Sequence, residues 1–150
     1  MISISRPVGF AITEERILPT AQHLSERIAV EHPEIGGVVV FEGRVRNHHN
    51  GRGVSGLEYT AYHELAVYEG LRIVRETAAR LELPVALAIH RVGAVPIGEM
   101  AVWVYAGGAH RQAAFEGCRV IIDEIKRSVP IWKHEWYEDG SDEWVLGNPE

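Results

Sequence analysis

Lysine occurs at two positions in this chain of 150 residues, Lys126 and Lys133, on either side of Val129-Pro130-Ile131-Trp132. Every other fixed cation is arginine. On a solvated face either residue serves, but their chemistry differs. Arginine stays protonated, whereas a lysine amine can release its proton and act as base or nucleophile. Two ammonium groups held close repel, which lowers the pKa of at least one toward neutrality. The segment therefore has the residue types for a general base, or for an amine that attacks a carbonyl. A purely structural role stands beside this reading, since Lys126 also complements the C-terminal dipole of the helix it closes.

Two further clusters have the chemistry of anion recognition. Arg44, Val45 and Arg46 lie at the end of an apolar run, Val38 to Val45. Arginines at i and i+2 on a strand point the same way, and their guanidinium forks match a phosphate; a solvated edge pair is the alternative. Gly107-Gly108-Ala109-His110-Arg111 reads as a glycine-rich turn entering a helix. Unpaired backbone N–H groups beside a positive dipole end would seat a phosphate or carboxylate there, and an ordinary loop is the competing reading. The histidines show no zinc spacing and no cysteine supports them, so no metal site is expected. Cys118 falls on an apolar helical stripe, which makes it packing and not a nucleophile. Trp132, Trp136 and Trp144 read as core or as a contact face.

The elements that must position these residues follow from periodicity. Residues 8 to 12 read as a short strand. A helix with Pro19 in its first turn runs to about His32, with Ala21, Leu24 and Ile28 on one face. The nearly continuous apolar run Val38 to Val45 predicts a strand buried on both faces. Asn47 to Gly53 reads as a polar, mobile loop. Leu57, Tyr59 and Ala61 alternate as in a half-buried strand. A helix from about Glu64 to Leu81 carries Leu65, Tyr68, Leu71, Val74, Ala78 and Leu81 at helical spacing, and Pro84 stops it. Val85 to Val92 and Met100 to Tyr105 predict an antiparallel pair around the turn Pro96 to Glu99. A third helix, about His110 to Ser128, buries Ala114, Cys118, Ile121 and Ile125, and Pro130 ends it. Ile131 to Tyr137 and Glu143 to Leu146 are strands joined at Asp139-Gly140. Hairpins mixed with three helices argue for an α+β fold with a mainly antiparallel mixed sheet, formed as one domain over residues 1–150.

Composition sets the bounds. A hydrophobic fraction of 46% and a charged fraction of 24% fit one compact core. The net charge of -6 argues against nucleic acid or an anionic membrane as partner, so any anion site is a local cluster working against that field. No apolar run approaches the ~20 residues of a membrane span. The N-terminal stretch MISISRPVGF lacks the charge and apolar regions of a secretory leader. One cysteine fits a reducing compartment, and a cytoplasmic protein is expected.

Taken together, these segments resemble the large, catalytic subunit of molybdopterin synthase. The resemblance rests on Gly37 through Asn47, Leu57-Glu58-Tyr59 with Ala61-Tyr62, and His90-Arg91-Val92-Gly93. It continues in Ala109-His110-Arg111, Phe115 through Cys118-Arg119 to Ile122-Asp123, and Lys126 through Pro130-Ile131-Trp132-Lys133-His134-Glu135. It covers about residues 8 to 146. The chain departs from the family pattern at Gly107, where a small hydroxyl residue is frequent, and at His134, where a lysine or arginine is usual. The resemblance implies an α/β hammerhead-type fold and a sulfurtransferase. Two sulfurs pass in separate steps from the thiocarboxylate at the C-terminal glycine of a small ubiquitin-like subunit to cyclic pyranopterin monophosphate, making molybdopterin. It implies a homodimer within a heterotetramer and no cofactor of its own. It gives Lys126 and Lys133 catalytic roles, and substrate binding to Arg44, Val45, Arg46, His110, Arg111, Lys126, Lys133, His134 and Glu135. The identity of the general acid stays open. A non-catalytic phosphate-ligand or interaction subunit is the alternative, and it would need no amine at position 126. His110 and Lys126 bracket sixteen residue steps of one helix, roughly 24 Å at 1.5 Å per residue. One small pocket in one chain does not hold both ends, so a site shared across a dimer is expected.

Overall fold

The computed structural model describes residues 7–146; residues 1–6 of the stretch read for a leader lie outside them. In chain order the elements are β1 (Val8–Thr13), α1 (Ile17–Glu31), β2 (Gly37–Arg44), β3 (His48–His49), β4 (Arg52–Ala61), α2 (His63–Leu81), β5 (Val85–Arg91), β6 (Gly93–Ala94), β7 (Met100–Gly108), α3 (Arg111–Ser128), β8 (Ile131–Tyr137) and β9 (Asp142–Leu146). The first sheet runs β1-β5-β7-β2, parallel only between β1 and β5. The second runs β3-β4-β8-β9, with β6 also on β4, and is antiparallel throughout. This is the α+β arrangement expected, with three helices. No helix among the described residues is long and apolar enough to cross a membrane.

Strand alternation divides the core. On β5, Val85, Leu87 and Ile89 face α1 and join Trp103 and Tyr105 of β7; Ala86 and Ala88 face α2 and α3 with Val102 and Val104. Covered on both faces, β5 is apolar from Val85 to Ile89, as a buried strand is. A third, smaller cluster of Val45, Leu57, Val95 and Ala101 ties the second sheet to the first.

Four local expectations are corrected. β2 is not buried on both faces. It is an edge strand, and α1 lies over β5 and β7, leaving Val38, Val40 and Phe41 at 48, 42 and 38% exposure. The segment Asn47 to Gly53 is a hairpin, not a mobile loop. Asn50 and Gly51 both take positive φ (51° and 75°), the backbone of a tight two-residue turn matched to strand twist, and this pairs His49 with Arg52. Gly107 and Gly108 are the last residues of β7, paired with Val38 and Gly37, and do not form a turn. On α2 the buried face is Ala66, Gly70, Ile73, Val74, Thr77 and Ala78, while Leu65 and Tyr68 are exposed.

The α2 correction has a steric cause. The Phe10 ring of β1 lies against Gly70, where a Cβ would come within 2.4 Å of it. Gly70 lets strand and helix close at this point, with Ile73 and Val74 buried on the same face and Leu65 and Tyr68 left on the flank. Gly70→Ala should therefore destabilise by about 1–3 kcal/mol through overpacking, although alanine is the better helix former. A urea titration checks this, and adding Phe10→Leu should recover part of the loss.

Candidate active site

Three local features bring the two lysines together. Lys126 follows the buried Ile125 in the last turn of α3. Pro130 ends the helix, and β8 returns immediately, its backbone anchored where the Tyr62 N–H donates to the Pro130 carbonyl (3.1 Å). Alternation along β8 then puts Lys133, Glu135 and Tyr137 on one face. Lys133 sits opposite Tyr59 of β4 and Glu135 opposite Leu57. The result is a cleft of about 370 Å³ whose walls include Arg44, Val45, Arg46, Lys126, Lys133 and Glu135. That is within the range of small-ligand sites.

Glu135 organises the floor. It is 4% exposed. Its carboxylate accepts from Lys133 Nζ (2.9 Å), His49 Nδ1 (2.7 Å) and the Tyr137 hydroxyl (2.7 Å). Burial alone would raise its pKa, but the three donors outweigh burial and bring it down to about 2. Tyr59 is pushed up to about 12 by burial and by the Glu135 charge, so its phenol stays neutral. Arg44 is committed to Glu42 Oε1 (2.8 Å) and to the Gly98 carbonyl (2.7 Å). Two carboxylates of the cleft are thus matched by two cations. Lys126 and Arg46 line the same cleft without a carboxylate partner among the described residues, which leaves local positive charge in an acidic chain.

The Lys126 amine is pushed down to about 8, first by burial and then by the charge of Lys133. The ammonium repulsion expected from the sequence contributes, but burial is the larger cause. Such an amine is mostly charged at neutral pH yet can give up a proton there. Cys118 is 3% exposed and its thiol is pushed up to about 11 by burial, which keeps it out of the chemistry.

Three residues expected at the site lie elsewhere. His134 points to the opposite face of β8, where its ring stacks between Trp136 and Trp144 (centroids 4.1 and 4.3 Å) and pairs with Asp142. Trp136 and Trp144 are exposed, so that part of the tryptophan cluster is a surface and not core. His110 and Arg111 begin α3 at its far end. Arg111 lines a separate apolar groove of about 830 Å³ with Val40, Phe41 and Phe115. Phe41 borders both the groove and the cleft. Conversely, Glu42, His49 and Tyr59 belong to the cleft and were not among the residues expected there. His49 was legible from the Asn50-Gly51 turn signal, which puts it on a strand.

Known proteins resemble this chain along most of its length. A family model described as MoaE protein matches residues 12–128. The chain is 40% identical over 131 residues to the molybdopterin synthase catalytic subunit of Pyrococcus abyssi, covering 87% of this chain and 88% of that protein. It is also 40% identical over 148 residues to the subunit of the same name in Oryza sativa subsp. indica, covering 93% and 77%. Among solved structures, the crystal structure of molybdopterin synthase from Staphylococcus aureus superposes with a TM-score of 0.78 at 30% identity, over 95% of this chain and 98% of that one.

Proposed function

This chain belongs to the MoaE protein family, and from that premise we propose that it is the catalytic subunit of a molybdopterin synthase. It transfers two sulfurs from the thiocarboxylated C-terminal glycine of a small ubiquitin-like carrier to cyclic pyranopterin monophosphate. The observation that carries this reading is the meeting of the chain's two lysines in one cleft beside Arg46, which has no carboxylate partner among the described residues. A thiocarboxylate and a phosphate are both anions, and the cleft offers them Lys126 and Arg46, while its carboxylates Glu42 and Glu135 are paired with Arg44 and Lys133. Each donated sulfur leaves its carrier as a carboxylate, so water must complete the acyl transfer, and a proton must be moved as the tetrahedral oxyanion collapses. Lys126 supplies a charge to hold that oxyanion and a proton it can release near neutrality. Lys133 is anchored to Glu135 (2.9 Å), and Arg44, Val45 and Arg46 line the substrate side. The cytoplasm is the compartment we assign, since a reducing setting suits a lone cysteine and a labile thiocarboxylate.

The test is product formation from cyclic pyranopterin monophosphate and thiocarboxylated carrier. Molybdopterin with release of carrier carboxylate supports the reading. Carrier binding without product would return the chain to the class of interaction subunits.

The remaining site residues follow if the chain works as a dimer. His110, Arg111 and His134 would then serve a partner subunit's cleft or its rim and not their own. Mixed dimers of Arg111→Ala and Lys126→Ala subunits should regain about a quarter to a half of wild-type activity, because one intact cleft is rebuilt per dimer. Mixing that restores nothing counts against a site shared across the dimer.

A further inference from the structure

His90 is the one histidine of β5, 2% exposed, on the strand face that turns to α2 and α3. Its neighbours on that face, Ala86 and Ala88, are small and apolar. Its Nδ1 lies 2.8 Å from the Arg91 carbonyl oxygen. A carbonyl only accepts, so Nδ1 carries the hydrogen, and in a neutral ring Nε2 is left as a lone-pair acceptor. The Tyr59 ring packs edge-on against the imidazole at 4.9 Å and fixes its plane. Beside the ring is a chamber of about 20 Å³, walled by Tyr59, His90, Ile125, Lys126, Val129, Ile131 and Lys133. That is room for one water and little more.

Lys126 and Lys133 line this chamber as well as the larger cleft. Lys133 has its carboxylate, whereas Lys126 has none among the described residues. The polar groups facing His90 are the Tyr59 phenol from β4, Lys126 from α3 and Lys133 from β8; the adjacent strands present Ile12 and Val102 at the paired positions.

We propose that His90 is a positioning residue for Lys126: the neutral imidazole accepts at Nε2 a hydrogen bond from one water held in the chamber, that water accepts from the Lys126 ammonium, and the pair holds the amine at the cleft. Burial, and then the charge of Lys126, push the ring's own pKa down to about 3, so it stays neutral throughout the working range. The amine then has a partner that stabilises its charged form without competing for its proton.

This deepens the sulfur-transfer reading and rests on it for its meaning, but the decisive measurement needs no turnover. With two lysines in the chain, [13C]lysine labelling gives two Cε signals, and Lys126→Arg identifies the one to follow. In His90→Phe the ring packing on Tyr59 is kept and the acceptor is lost. The Lys126 midpoint should fall by about one pH unit from its wild-type position. His90→Gln retains an acceptor and should bring it back most of the way. In the wild-type protein the His90 Nε2 nitrogen resonance should move with the Lys126 midpoint while the ring stays neutral, a readout that survives if His90→Phe does not fold. An unchanged Lys126 midpoint in folded His90→Phe, or an Nε2 resonance indifferent to Lys126, overturns the proposal. In the sulfur-transfer assay, His90→Phe should lower kcat about tenfold with KM unchanged. Failure of that assay in wild type would count against the functional reading and leave the titrations standing.

Discussion

Replacing Lys126 by arginine lowers the rate of sulfur transfer by about 100- to 1000-fold while KM for the pterin substrate moves by less than about threefold. Arginine keeps the charge and the hydrogen-bond donors, so binding of two anions survives. What it cannot do is release a proton, because a guanidinium stays charged at any working pH. An amine titrating near 8 is about nine-tenths charged at pH 7 and still exchanges its proton readily. Single-turnover kinetics with preloaded carrier isolates this step from carrier exchange. If Lys126→Arg keeps more than about a tenth of wild-type activity, charge alone suffices and the proton-transfer role is lost.

The same lysine burdens the fold. Its pKa is depressed from 10.5 to about 8, so the unfolded chain binds the proton more tightly. The cost is full below pH 8 and fades as pH rises from 8 toward 10.5. Lys126→Met should accordingly unfold at a higher temperature than wild type at pH 7, by a few degrees, while being inactive. A gain in stability with a loss of function separates a working residue from a packing one.

Glu135→Ala should cost about 3–5 kcal/mol of stability, because it leaves the Lys133 ammonium, 11% exposed, without its carboxylate. His49 and Tyr137 lose their acceptor in the same change. For a domain of this size the unfolding temperature should fall by roughly 10 °C or more. Differential scanning calorimetry checks it, and pH provides the control. The carboxyl of Glu135 is depressed from 4.5 to about 2 in the fold. Its stabilising contribution is therefore complete above about pH 4.5 and is lost as pH falls from there toward 2. The gap between wild type and Glu135→Gln should close over that window. A gap that stays constant down to pH 2 would mean that the three hydrogen bonds do not act through the ionised carboxylate.

The convergence of Lys126 and Lys133 was legible because a proline break forces the helix end and the next strand into adjacency. The distance from Lys126 to His110 was legible as helix arithmetic. His134 could also have been read. Its immediate neighbour Lys133 faces the cleft, and strand alternation sends the next residue to the other side, here into the Trp136 and Trp144 stack. His49 was hidden by reading Asn50-Gly51 as a loop instead of a turn. His90 gives no periodic signal at all. Inside an apolar strand a lone histidine reads as packing, and only the fold shows that it borders the lysine chamber. On α2, Val74 and Ala78 were legible from helical spacing, whereas Leu65 and Tyr68 were not, because the close approach at the N-terminal half is made by Ala66 and Gly70, the latter under the Phe10 ring.

Cys118 sits on the inner face of α3, 3% exposed, with its thiol pushed up by burial. A thiol in that state is invisible to peroxides and alkylating agents at neutral pH. The protein thus handles sulfur with a single cysteine poorly suited to retaining it, since a buried, protonated thiol is a weak site for a persulfide or a mixed disulfide. Oxidative stress has to strike this step through the donor, whose sulfur travels exposed, and replacing the donor alone should restore the enzyme.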